Sequence, residues 1–161
     1  MVRTSVAWIS AFVVMGLVAG SISSWMIAAG VCDPSPEFAE SAPTFIWALR
    51  VDGLLHMAGC IGILVGAMVL GIILKADSRR RRWHAGFFGL AVAALLLTSY
   101  LLATAAWGPI SPAITWASLS VLLMFFPAML LFALVGGQLA QMALGLVPFL
   151  RETWRDAWHS P

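Results

Sequence analysis

Four runs of apolar residues dominate the chain, at 6–28, 53–75, 85–107 and 113–137. Each is long enough to cross a bilayer, whose hydrocarbon core needs about 20 apolar residues in helical form. Within each run the apolar positions are continuous and do not alternate with polar ones at a period of two, which favours helices over barrel strands. The pattern predicts an all-α, integral membrane four-helix bundle forming a single transmembrane domain over 1–161. The second span stops at Lys75, and the Gly136-Gly137 pair is the expected end of the fourth.

Residues 138–161 are too polar to continue a span and too apolar for a free tail. Leu139, Met142, Leu146, Trp154 and Trp158 can share one apolar face, with Arg151, Glu152, Arg155 and Asp156 turned to water. This reads as a C-terminal interfacial amphipathic segment, broken in two at Pro148. Anchoring to the membrane surface is its simplest role, and docking onto a cytoplasmic partner is the functional alternative.

The polar stretches between the runs predict orientation. Residues 75–84 read KADSRRRRWH, and a short loop dense in Lys and Arg stays on the cytoplasmic side. Four crossings put both termini on that side, in a cell inner membrane. Arg3, Arg151 and Arg155 agree, while the first external loop holds Asp33, Glu37 and Glu40 with no base. Tryptophan prefers the headgroup level. On this topology Trp8, Trp83, Trp154 and Trp158 fall at the inner interface, and Trp25, Trp47, Trp107 and Trp116 at the outer. Arg3, an apolar stretch and Ala28-Ala29-Gly30 have the outline of a secretory leader. The stretch is read here as the first span, and Val31 before Cys32 argues against the lipoprotein variant.

Composition supports the same class. The chain is 61% hydrophobic and 10% charged, against about 25% charged in a soluble domain. The formal net charge is only +2. Because the bases concentrate in one block, no nucleic-acid partner is expected, and the block suits anionic headgroups of the lipid bilayer.

Small residues at one-turn spacing let helices approach closely. Gly16, Gly20 and Ser24 line one face of the first span, and Ala58, Gly62 and Gly66 one face of the second. These faces are expected to pack together or against a partner chain. The third span offers Gly86, Gly89, Ala93 and Ala94 for the same purpose. The fourth is bulky, carrying Leu122, Leu123, Phe125, Phe126, Leu130, Leu131 and Phe132, and is expected to face lipid or another subunit with a kink at Pro127.

Candidate chemistry gathers in the outer halves of the spans: Ser21, Ser23 and Ser24; Asp52, His56 and Cys60; Thr98, Ser99, Tyr100 and Thr104; Thr115, Ser118 and Ser120. Asp52, His56 and Cys60 stand one helical turn apart on one side of a helix. An Asp one turn from a His can orient the ring and raise its basicity. Ionisable groups at membrane depth are costly enough to be functional candidates. Their depth turns on residues 43–51. As a separate surface helix they leave His56 near the headgroups, whereas as an extension of span two they immerse it.

Cofactors are weighed by counting ligands. A bis-histidine haem needs two imidazoles at one depth, but His84 and His159 lie toward the inner side. Met26 is then the one axial partner for His56. Copper could use His56, Met57, Cys60 and Met26, although Met57 projects from another face. Zinc lacks sufficient ligands, so no metal site is assigned and the cofactor is unknown. Cys32 and Cys60 are expected too far apart to bridge, and neither a CxxC pair nor a phosphate-binding glycine loop is present.

Two functions fit. One is a non-catalytic integral subunit of a larger membrane assembly, respiratory or photosynthetic in kind, with other membrane subunits or copies of itself as partners. The other is a small membrane enzyme or redox carrier, acting at the outer leaflet on a lipophilic substrate or quinone through Asp52, His56, Cys60 and Tyr100. A solute transporter ranks below both, since four helices with one polar cluster offer a poor hydrophilic path.

Overall fold

Each apolar run folds as one unbroken α-helix in the structure, a computed structural model that describes residues 2–31, 44–74, 78–107 and 112–159. The helices are α1 (Val2–Ala28), α2 (Thr44–Leu74), α3 (Ser78–Trp107) and α4 (Pro112–His159). All four are long and apolar enough to cross a membrane, and no strand occurs among the described residues. The chain is an all-α, multi-pass membrane protein. In lipid the backbone must satisfy its own hydrogen bonds, which is why uninterrupted helices are the outcome.

One helix boundary settles an alternative left open, and two depart from those expected. α2 starts at Thr44, so the stretch before Gly53 extends the second helix and is not a separate surface piece. α3 starts at Ser78, so the arginines form its first two turns and not a loop. Arginine is a good helix former, and no breaker stands between Ser78 and the apolar run. α4 passes through Gly136 and Gly137 and contains both Pro127 and Pro148. Each proline removes a single donor from the ladder, and the glycine pair serves close packing instead of termination. The expected tail at 138–161 therefore starts as a continuation of α4.

α2 is the centre of the bundle. Of its most apolar 18-residue stretch 44% is buried, against 11% for that of α1 and 28% each for those of α3 and α4. α1 runs antiparallel to it. A Cβ built on Gly62 would lie 2.7 Å from the Met15 carbonyl oxygen, and one on Gly66 would lie 2.8 Å from that of Ala11. α4 runs parallel to α2 and approaches it as closely, since a Cβ on Gly136 would collide with the Leu64 carbonyl oxygen. α3 closes the group, with Gly89 against Ala133 and Ala85 against Gly137. Ile63, Leu70, Phe88, Val121 and Met129 are the largest fully buried side chains. The rings of Phe12 and Phe88 are 5.0 Å apart and those of Trp8 and Phe88 5.9 Å, tying α1 to α3.

One branch of a packing expectation, that the Gly16 and Gly62 faces meet each other, is corrected, and the expectation for the fourth span is narrowed. The face of α1 that meets Gly62 and Gly66 is Ala11, Met15 and Ala19, while Gly16, Gly20 and Ser24 point outward. α4 is not chiefly a lipid-facing helix, because Met129, Ala133, Gly136, Gly137 and Ala140 are buried against α2 and α3. Only part of its bulky set faces out, including Leu123, Phe126 and Leu131.

Helical periodicity also divides the arginines. Arg81 shares a face with Ala85, Phe88 and Val92, all buried. Its stem packs beside Gly71, where an added Cβ would come within 3.2 Å of Cδ. Arg79, Arg80 and Arg82 are exposed.

Candidate functional site

The unbroken course of α2 carries Asp52, His56 and Cys60 on successive turns. The side chain of Asp52 lies outside the described residues. His56 is half-buried, and its ring centre is 5.6 Å from that of Phe125 on α4. Cys60 is a free thiol, 2% exposed within the main core. Cys32 lies outside the described residues.

His56 opens into a cleft of about 350 Å³ where three helices meet. α3 contributes Leu96, Ser99 and Tyr100, and α4 contributes Ser118 and Leu122. The structure therefore brings His56 and Tyr100 to one cavity, although 44 positions separate them in the sequence (100 − 56). Ser118 is 8% exposed, one of two buried polar or charged residues among those described. Sequence reasoning counted Ser99 and Ser118 only as part of a polar half. The available signal was Ser118 four residues before Leu122 on α4, and Ser99 three residues after Leu96 and next to Tyr100 on α3.

Not every hydroxyl at this end of the bundle belongs to this cleft. The Thr98 Oγ1 donates to the Ala94 carbonyl at 2.7 Å, and the Ser120 Oγ donates to that of Trp116 at 2.8 Å. Both are exposed and satisfied by their own helix one turn back, an ordinary state for such residues in apolar surroundings.

Met26 packs with Ile22, Leu54, Leu55 and Ala58 in the seam between α1 and α2. Positions 54 and 58 stand roughly 200° from 56 around α2, and position 55 roughly 100°, at 3.6 residues per turn. His84 is at the opposite end, its ring centre 6.4 Å from that of Trp8. Among the described residues there is no group of three or more His, Cys, Asp or Glu.

An imidazole, a phenol and two hydroxyls thus line an amphipathic cleft within the size range of small-ligand sites. Such a set can hold a polar headgroup or pass a proton between His56 and Tyr100 through a bound molecule. Comparison with protein families, with curated proteins and with solved structures found no match to this chain.

Proposed function

We propose that this chain is a non-catalytic integral subunit of a larger membrane assembly, lying in the inner membrane with both termini cytoplasmic and docking through α1. The observation that carries the reading is the outward face of that helix. Gly16, Gly20 and Ser24 are exposed at one-turn spacing, and no described atom lies within 4 Å of a Cβ built on either glycine. Association in lipid depends on close backbone approach, which such a face permits. Gly62, Gly66 and Gly136 use the same device inside the bundle.

The test is Gly16→Leu combined with Gly20→Leu. The fold has room for both side chains, so the variant should insert and remain helical while losing cross-linking and co-purification with its neighbours in native membranes. Unchanged co-migration would overturn the reading.

The His56 cleft favours a second reading, a small membrane enzyme or redox carrier acting on a lipophilic substrate or quinone. Asp52, His56, Cys60 and Tyr100 would be its working residues. His56→Ala separates the two functions. Lost activity of the parent membrane with assembly intact supports the enzyme, and unchanged activity supports the subunit.

A further inference from the structure

At the end of the bundle that carries the arginines, a groove of about 380 Å³ runs between α3 and α4. It changes character along its length. Arg79 and Arg82 stand at one end, three residues apart on α3 and both exposed. Trp83, Phe87 and Leu90 follow on the same helix, and Leu134 of α4 forms the facing wall. From residue 79 to residue 90 this is roughly 16 Å at 1.5 Å per residue, or about half the hydrocarbon thickness of a bilayer. The floor is Gly86, where an added Cβ would meet only the Leu134 Cδ2, at 3.9 Å.

We propose that this groove binds one anionic phospholipid from the leaflet on the arginine side. The phosphate sits between Arg79 and Arg82, and an acyl chain lies over Gly86 between Phe87, Leu90 and Leu134. The two guanidinium groups offer planar, charge-assisted donors to phosphate oxygens. The apolar walls offer contact only to hydrocarbon. Trp83 is 62% exposed and its ring lies 6.1 Å from that of Phe87, so an occupant covers a large aromatic surface at headgroup depth. A helical partner would need small residues flush with a flat face. This site is instead a recess with charge at one end and hydrocarbon-facing walls at the other, the division found within a single lipid. Arg81 has no part in it, being turned toward Gly71.

The experiment measures lipid retention by native mass spectrometry of the full chain, with phosphatidylglycerol and phosphatidylcholine of identical acyl chains as probes. The wild type should retain phosphatidylglycerol in preference. Arg79→Gln with Arg82→Gln should weaken that retention about thirtyfold, the worth of two basic residues at an anionic surface, and abolish the preference. Gly86→Leu fills the groove without changing charge and should also displace the lipid. Arg80→Gln, exposed but outside the groove, should retain it, and millimolar inorganic phosphate should leave it bound. Equal retention of both lipids by the wild type would overturn the proposal. So would undiminished phosphatidylglycerol on the Gly86→Leu variant, an equal loss in Arg80→Gln, or displacement by inorganic phosphate alone.

Discussion

Gly16 and Gly62 are the same residue on neighbouring helices, yet a methyl group at each would meet opposite conditions. At Gly62 it would lie 2.7 Å from a carbonyl oxygen of α1, and at Gly16 it would meet no described atom within 4 Å. Gly62→Ala should therefore destabilise the bundle by about 1–3 kcal/mol through overpacking. Gly16→Ala should be neutral or gain up to about 1 kcal/mol of helix propensity. Unfolding in mixed micelles with increasing sodium dodecyl sulfate, followed by circular dichroism, checks the pair. Equal midpoints would mean that α1 and α2 do not meet at Gly62. Arg81 makes a related case, since its charge marks it for the surface while its position on α3 buries it at 9% exposure. Arg81→Ala removes the packed stem and should cost about 1–3 kcal/mol in the same titration. The exposed Arg80 should cost about 0.5 kcal/mol or less. Neither distinction was legible in the sequence. Spacing picks out the small faces and the arginine run, but which face a neighbour covers depends on the rotation of a whole helix.

The number and type of helices were legible, because length and continuous apolar character suffice to identify a span. The ends were not. Gly136-Gly137 resembles a helix stop when read locally, whereas in a bundle the same two residues let α4 touch α2 and α3. The continuity of α4 has a periodic signature. Leu131, Val135, Leu139, Met142 and Leu146 are exposed at steps of three and four residues, straight through the glycine pair, while Met129, Ala133 and Ala140 are buried. Single cysteines carrying spin labels at these positions should show oxygen collision rates that peak at the exposed five and fall at the buried three, in one phase along the whole stretch. A phase break after Gly137 would mean that the fourth span ends there and that a separate segment follows.

For the whole molecule, the sequence revealed which half of the bundle is polar but not which polar groups meet. That depends on the register between helices: α2 and α4 run side by side so that His56 lies beside Phe125, and α3 slots in to add Tyr100. The same register gathers the beginning of α1, the end of α2 and the beginning of α3 at one end of the bundle, with Trp8 beside His84 and Gly71 beside Arg81. The arginines at that end are expected to hold it on one side of the membrane, since carrying each across the bilayer centre costs about 2.5–3.5 kcal/mol on the insertion scale. In a background of Cys32→Ser and Cys60→Ala, a membrane-impermeant maleimide should therefore reach Ser5→Cys and Arg80→Cys from one side only. It should reach Val31→Cys, just beyond the far end of α1, only from the other. Replacing Arg79, Arg80 and Arg82 by Gln weakens the retention of that end, so part of the population should insert inverted and Val31→Cys should label from both sides. A population that kept a single orientation after this triple change would mean that the arginine run does not orient the molecule.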